Sequence, residues 1–202
     1  MQIDVKTYKI SKDNHYKTKT KKSQIIIGSS LRKDNYHIKR LLHKEYGNTK
    51  KWNTFTISRD GKIYQHYDDK YYSDFLGIKE GDKISISIVL ENMGCLFETE
   101  SGKYMNWLNE FCDNDRVVEK EWLSYDYWEK YTDDQLDSLI ELIEFLCDKH
   151  NIPKTFIEFH SYHKNIHKFK GIVFKGNYIE DSSDMNPLLN TDQLTEMLSN
   201  NN

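Results

Sequence analysis

Three of the eight histidines in this 202-residue chain, His160, His163 and His167, lie within eight positions, in the stretch FIEFHSYHKNIH. Imidazole is a common zinc ligand, and zinc held by three protein ligands activates water at its open fourth position. If residues 160–167 were helical, His163 and His167 would share a face, because they are four positions apart. The glutamate of an HExxH motif is missing, however. Two interpretations therefore stay open, a local metal site and three polar side chains on a solvated surface.

The elements that must position these residues alternate between strand and helix. Three consecutive isoleucines in QIIIGSS predict a short strand buried on both faces, and Asp60-Gly61 predicts a hairpin with a type I′ turn. Thr132 and Gln135 form a capping box in front of the clearest amphipathic helix. Predicted strands lie in 24–30, 52–67, 83–92 and 155–159, and predicted helices in 33–46 and after Thr132. The alternation predicts an α/β fold with a mixed central β-sheet and helices packed on it.

The length and composition of the chain fit one domain with additional segments. We divide the chain into a lysine-rich N-terminal arm (1–22), the main domain (23–190) with an aromatic insertion (94–131), and a C-terminal tail (191–202). The insertion has no clear periodicity, and its tryptophans and tyrosines either pack on the domain's own sheet or cover a partner. These aromatic residues are Trp107, Trp122, Tyr125, Tyr127 and Trp128.

Charge and hydropathy exclude several classes of function. The mean hydropathy is −0.82 and no apolar run approaches the ~18 residues that cross a bilayer, so no membrane role is expected. The N-terminus lacks an apolar signal-peptide core, so we expect synthesis in the cytoplasm without export by a leader. The net charge of −3 makes nucleic acid an unfavoured partner. Residues 1–22 nevertheless carry seven lysines and two aspartates, which leaves contact of this arm with an anionic polymer as an alternative.

The order of several short motifs resembles one enzyme family. His43-Lys44-Glu45 precedes Gly47, Phe55 through Gly61 forms the hairpin, and Ser85-Ile86-Ser87-Ile88 forms a strand; Thr132-Asp133-x-Gln135 then opens the long helix, and a strand ends in His160. This series, which spans residues 24–189, resembles the zinc-dependent N-acetylmuramoyl-L-alanine amidases of the phage-lysozyme and peptidoglycan-recognition type. The resemblance implies Zn²⁺ as cofactor and peptidoglycan as partner. It also implies hydrolysis of the amide between N-acetylmuramic acid and L-alanine.

The resemblance also implies a set of ligands, and this chain departs from it. His160 matches the second zinc ligand, and Asp184 is the candidate for the third, although it also fits an ordinary loop acid before Pro187. The first ligand, a histidine at the end of the first buried strand, is replaced by Gly28, which has no side chain to donate.

The catalytic helpers of the family differ as well. Asn53 stands where the family has a tyrosine, and Val89 stands where it has a glutamate. Glu91 lies two residues further on the same face of a regular strand, and a bulge would bring it into that place. Asn53 and Glu91 are therefore the catalytic candidates. We predict Ser29, Trp52 and Asn92 to bind substrate.

Together these departures predict a peptidoglycan amidase-like protein of phage origin that has lost a zinc ligand. Its expected role is a non-catalytic cell-wall-binding module or a structural part of a virion, in contact with other virion proteins. It would act in the host cytoplasm or in the virion. The alternative is an active amidase, either an endolysin or a virion lysin, with a rearranged zinc site.

Overall fold

A six-stranded mixed sheet forms the centre of the protein. The computed structural model describes residues 1–34, 36–42, 49–157, 161–180 and 186–200. Strands are numbered in chain order, and this sheet has the order β1-β4-β3-β5-β2-β11. It consists of β1 (Ile3–Asp4), β2 (Gln24–Ser29), β3 (Phe55–Ile57), β4 (Ile63–Gln65), β5 (Ser85–Leu90) and β11 (Gly171–Phe174). β3, β5, β2 and β11 are parallel, while β4 is antiparallel to β3. The predicted α/β class with a mixed central sheet is thus confirmed.

The isoleucines of β2 connect the two cores of the protein. Ile25 and Ile27 lie in the larger core, whereas Ile26 packs in a second core with Val173 and Tyr178. Successive side chains of a strand point to opposite faces, so three consecutive apolar residues are stable only where both faces are covered. β2 therefore had to become a central strand.

The described residues form four α-helices beside the sheet: α1 (Tyr36–Leu42), α2 (Lys79–Ile84), α3 (Asp133–His150) and α4 (Thr191–Asn200). The predicted capping box at the start of α3 is present, because the Thr132 side chain accepts from the Gln135 backbone and the Gln135 side chain accepts from the Thr132 backbone. Asn151 ends α3 in the left-handed conformation, with φ of 53°. α4 occupies the predicted tail and buries Leu194 and Leu198 in the larger core.

The hairpin between β3 and β4 is present, but its turn differs from the prediction. Ile57 pairs with Ile63, so five residues connect the strands, and the Gly61 N–H donates to the Ser58 carbonyl at 3.0 Å. Gly61 has a φ of +74°, whereas a type I′ turn needs positive φ at two central residues. The Ser58 N–H donates to the Lys62 carbonyl and closes this longer loop.

The aromatic insertion forms a second, antiparallel sheet where no regular structure was predicted. It has the order β8-β7-β6-β10-β9 and consists of β6 (Cys95–Glu98), β7 (Tyr104–Met105), β8 (Phe111–Cys112), β9 (Val117–Trp122) and β10 (Tyr125–Glu129). The strands of two residues are too short to show an alternation in the sequence. Trp128 is completely buried and Trp107 is 56% exposed, so the aromatic residues divide between packing and surface.

The N-terminal segment 1–22 packs along the main domain. β1 pairs with β4, and Tyr16 forms a bridge with Tyr72. Ile10 is 7% exposed and packs with Trp52 and Tyr67. Within the described ranges, no helix is both long and apolar enough to cross a membrane.

One strand of the central sheet, β11, was missed. It pairs with β2, so that Phe174 lies beside Ile27. The predicted strand 155–159 is described only as far as Ile157, and Phe156 forms a single bridge with Ile172 of β11. The segment that leads to His160 is therefore separated from β2 by β11, about 10 Å at the usual strand spacing.

The packing of the N-terminal segment can be tested through Ile10. Ile10→Ala should lower the free energy of unfolding by about 2 kcal/mol or more, because it leaves a cavity beside Trp52 and Tyr67. Val5→Ala is the matched control: Val5 is exposed in the same segment, and its loss should cost less than about 0.5 kcal/mol. Urea denaturation followed by tryptophan fluorescence measures both. Equal stability of the two variants would show that this segment does not belong to the folded unit.

Candidate functional site

The carboxyl ends of the parallel strands bring several of the predicted site residues to one edge of the sheet. Gly28 of β2 pairs with Val89 of β5, and Val89 pairs with Thr56 of β3. Paired residues of neighbouring strands point to the same face, so these three positions share one face. Ligands of open α/β sheets usually bind outside the carboxyl ends of the strands. This edge is therefore the candidate site.

The space in front of Gly28 is filled by two side chains. A Cβ added to Gly28 would lie 3.5 Å from Cζ of Phe75 and 3.7 Å from Cβ and Cδ of Lys175. Lys175 directly follows β11, and its Nζ lies 5.6 Å from the centre of the Phe75 ring. Burial lowers the pKa of this lysine. A methyl group thus fits at position 28, but the imidazole of a histidine would meet the phenylalanine ring and the lysine side chain.

The other two implied zinc ligands, His160 and Asp184, lie outside the described residues. Among the residues that are described, no group of three His, Cys, Asp or Glu side chains converges on one point. Gly28 supplies no donor atom, and of the two side chains next to it, Phe75 is apolar and Lys175 carries a cationic head group. The described residues at this edge therefore do not fit the Zn²⁺ ion that the resemblance implies.

Asn53, a predicted catalytic residue, is held in a chain of buried hydrogen bonds. It is 1% exposed, and its Nδ2 donates to the Phe55 carbonyl at 2.6 Å and to Oγ1 of Thr56 at 2.8 Å. Its Oδ1 lies 3.1 Å from Nε2 of His37 on α1. Both ends of the amide are thus bonded within the protein. In this arrangement Asn53 holds its neighbours in place, and its catalytic role stays a prediction.

The tautomer of His66 determines which atoms donate and which accept in this hydrogen-bond chain. Its Nδ1 lies 2.9 Å from the carbonyl of Tyr8, which can only accept, so Nδ1 carries the proton. Nε2 is then the acceptor for the Thr56 hydroxyl at 2.8 Å. Burial lowers the pKa of His66 to about 4, which keeps the ring neutral at physiological pH. The chain therefore connects α1 through the sheet to the N-terminal segment.

Glu91, the second predicted catalytic residue, is buried at the end of β5. It is 3% exposed; its Oε2 accepts a long hydrogen bond of 3.4 Å from the Arg59 N–H, and its Oε1 has no hydrogen-bond partner among the described residues. Burial raises the pKa of this carboxyl to about 7. The pairing of β2 with β5 runs without a shift through Ser29 and Leu90, so the bulge that would move Glu91 into the place of Val89 is not present.

The three predicted substrate-binding residues are engaged within the protein. Trp52 is 1% exposed and lies in the core beside Ile10. Asn92 is fully buried, and its Nδ2 donates to the Glu129 carbonyl at 3.0 Å. Ser29 points to the opposite face from Gly28, and its Oγ lies 2.9 Å from the hydroxyl of Tyr131. Their substrate-binding role stays a prediction, which would require these contacts to open.

The two remaining histidines of the opening motif are exposed. His163 precedes a short 3-10 helix, Ile166–Lys168, that contains His167. The helical geometry that would place both rings on one face is therefore absent. Phe75 and Lys175 were not among the predicted site residues. The only sequence signal for Lys175 was the four-residue stretch GIVF before it, which was too short to be recognised as a central strand.

Comparison with known proteins gives the family. The profile of the N-acetylmuramoyl-L-alanine amidase family matches residues 15–171. The chain thus belongs to the N-acetylmuramoyl-L-alanine amidase family. No curated protein matches it.

Similar solved structures include an amidase, the catalytic domain of XlyA and an endolysin. The amidase LysC from Clostridium intestinale is 12% identical, with a TM-score of 0.58 and 98% of both chains covered. The catalytic domain of XlyA is 15% identical, with a TM-score of 0.58 and coverage of 98% of this chain and 99% of that one. A mutant endolysin from Bacillus subtilis is 16% identical, with a TM-score of 0.57 and the same coverage. At these identities the likeness establishes the fold.

The filled space at Gly28 predicts that a restored histidine would not restore a metal site. Gly28→His should bind no stoichiometric zinc and should lose about 1–3 kcal/mol of stability, because the ring would displace Phe75 and Lys175. Gly28→Ala is the control and should fold with nearly unchanged stability, since its methyl group makes ordinary contacts. Metal analysis by mass spectrometry after dialysis against zinc, with urea denaturation, measures both effects. One tightly bound zinc per Gly28→His chain would contradict this interpretation.

The environment of Glu91 predicts a pH-dependent stability. Its folded pKa of about 7 lies above the ordinary value of 4.5, so the folded protein holds this proton more tightly than the unfolded chain. The resulting stabilisation is complete below pH ~4.5 and is lost as the pH rises through ~7. Glu91→Gln cannot ionise and should be more stable than the wild type by about 2–3 kcal/mol at pH 8, and equally stable at pH 4.

Urea denaturation between pH 4 and pH 8 measures this difference. Glu100→Gln, which removes an exposed carboxyl group, serves as the control and should follow the wild-type pH profile. A stability difference between Glu91→Gln and wild type that does not change with pH would show that the pKa of Glu91 is the same in the folded protein and in the unfolded chain.

Proposed function

We propose that this protein binds peptidoglycan, or another cell-wall glycopeptide, without hydrolysing it through a zinc ion. It would act as a cell-wall-binding module or as a structural part of a virion. The proposal rests on the residue at position 28 and on the side chains that surround it. No donor is present there, and Phe75 and Lys175 occupy the space that a metal-binding side chain would need. An ammonium group in that region also opposes the binding of a divalent cation by Coulomb repulsion.

The hydrogen bonding of Asn53 supports the same proposal. In zinc-dependent hydrolysis a polar side chain must assist the water that attacks the carbonyl. The amide of Asn53 is bonded on both sides, to His37 and to the pair formed by Phe55 and Thr56. These contacts favour a fixed, structural amide over one that follows a reacting group. The family fold would then supply recognition of the glycopeptide and no longer its cleavage.

One observation favours the alternative of an active amidase with a rearranged site. A buried carboxyl group with a pKa of about 7 is well suited to exchange protons at neutral pH, and Glu91 is such a group. For this role it would have to turn towards the candidate site, together with a set of metal ligands that includes residues such as His160 and Asp184.

Binding and cleavage of purified cell walls separate these functions. We expect the wild-type chain to sediment with peptidoglycan sacculi while releasing no new L-alanine amino termini, and to contain no zinc after purification. An active amidase of the same family, tested in parallel, shows that the walls are cleavable. Release of amino termini that stops with a chelator and returns with zinc would establish the active alternative. Failure to sediment with the sacculi would reject wall binding.

The oligomeric state distinguishes a free wall-binding protein from a virion component. Native mass spectrometry of the full chain should give a monomer for a free wall-binding module. A closed ring or a larger defined assembly would instead support the structural role in a particle.

A further inference from the structure

Four of the seven lysines of the N-terminal segment lie in a stretch that runs beside a second part of the chain. The Nδ2 of Asn14 donates to the Thr49 carbonyl at 3.0 Å, the Tyr16 N–H donates to the Tyr72 carbonyl at 2.8 Å, and the Thr20 N–H donates to the Lys70 carbonyl at 3.0 Å. Residues 12–21 therefore run beside residues 49–51 and 68–74. We call this surface the basic face; its lysines are Lys12, Lys17, Lys19, Lys21, Lys50, Lys51 and Lys70.

The basic face has a clear excess of positive charge. Its acidic residues are Asp13, which lies 3.8 Å from Lys17, Asp68, which pairs with Lys70, and Asp74, which accepts from the Tyr16 hydroxyl. The neighbouring Asp69 is buried and paired with Lys149. Lys12, Lys19, Lys21 and Lys51 are exposed and form no ion pair within the described ranges. The whole chain has a net charge of −3, so this concentration of cations is local.

The kind of cation on this face indicates the kind of anion. All of its cationic side chains are lysines, whereas arginine is the residue that recognises a single, fixed carboxylate or phosphate through two parallel hydrogen bonds. A lysine is a compact point charge on a flexible stem, which suits phosphate groups presented at variable spacing. The basic face thus fits a flexible polymer of phosphodiesters better than one ordered carboxylate.

The aromatic residues of the face argue against nucleic acid as that polymer. Proteins that bind single strands offer exposed rings on which bases stack. Here Tyr16 stacks on Tyr72 at 4.6 Å between ring centres, and the Nζ of Lys50 lies over its ring at 5.4 Å. Tyr71 lies under Lys70 and next to His15. These rings are already engaged, so the face offers charge without a stacking platform.

We infer that the basic face binds a phosphodiester-linked polyol polymer attached to the bacterial cell wall. This inference rests on the proposed function, which brings the protein to the wall. The polymer would add an electrostatic contact, separate from the candidate site at the carboxyl edge of the sheet. Such a contact releases counterions from the polymer and weakens as salt increases.

The test compares intact walls of a Gram-positive bacterium with the same walls after hydrofluoric acid has removed their phosphodiester polymers. The full chain is sedimented with both at several salt concentrations, and its binding to isolated poly(glycerol phosphate) is measured directly. The test variant combines Lys19→Gln, Lys21→Gln and Lys51→Gln. The control combines Lys103→Gln, Lys130→Gln and Lys164→Gln, which removes the same charge from exposed positions elsewhere.

We expect the test variant to bind intact walls and the isolated polymer about tenfold more weakly than wild type, with a shallower salt dependence, while the control variant is unchanged. Binding to stripped walls should be the same for all three proteins. If the wild type binds intact and stripped walls equally and does not bind the isolated polymer, the inference is overturned and the proposed function stands. Binding of the polymer without any binding to stripped walls supports the inference and rejects the proposed glycopeptide binding.

A parallel measurement of binding to duplex DNA tests nucleic acid, the other class of polyanion. Wild-type binding to DNA that is tighter than binding to poly(glycerol phosphate), and is lost in the test variant, would assign the basic face to nucleic acid and overturn the inference. Weaker binding to DNA than to the polymer supports it.

Discussion

The parallel pairing of β2 with β5 and β11 is the constraint on which the rest of the structure depends. All three central isoleucines of β2 are at most 1% exposed, because helices and loops cover the sheet on both sides. A shift of one residue in this pairing would exchange the two faces of the strand, so the register is strongly determined. The fixed register places Gly28 beside Val89 and brings the end of β11 next to it.

That register explains the surroundings of position 28 in the candidate site. β11 pairs directly with β2, so the residue that follows β11 comes close to the end of β2. This residue is Lys175, and its side chain lies beside Gly28. A larger residue at position 28 would leave less room for that side chain and for Phe75. The absence of a donor at Gly28 and the presence of the lysine are thus two parts of one packing arrangement. A substitution at position 28 or at position 175 alone therefore cannot undo this packing arrangement.

Several features of the fold could be predicted because their causes are local. The capping box of α3 and the buried strand β2 depend on residue types at fixed spacing, and both are present. The five-residue connection of the hairpin was not predicted, because Asp60-Gly61 is compatible with more than one turn. β11 was missed for a different reason: four residues are too few for a periodic pattern, and their pairing partner lies about 150 positions away in the chain.

The candidate site was harder to predict, since its properties arise from tertiary contacts. The sequence placed Gly28, Asn53 and Glu91 in predicted strands; in the structure Gly28 and Glu91 lie at the carboxyl ends of β2 and β5, whereas Asn53 precedes β3 by two residues. It gave no sign that Asn53 would be bonded on both sides, or that Glu91 would be buried with one oxygen that has no hydrogen-bond partner among the described residues. Those facts depend on His37, Thr56 and Arg59, which approach from other elements.

Under the proposed function, the chain keeps the family fold without its metal chemistry, and the same contacts bear on that change. A polar side chain that leaves a catalytic role must find other partners, because an unsatisfied buried polar group destabilises the fold. At Asn53 those partners are supplied by the chain from His37 to His66, whose neutral ring ends on the carbonyl of Tyr8. The N-terminal segment is therefore part of the arrangement that satisfies the edge of the sheet. The same segment carries most lysines of the basic face, so it both accepts the hydrogen bond of His66 and presents that charged surface.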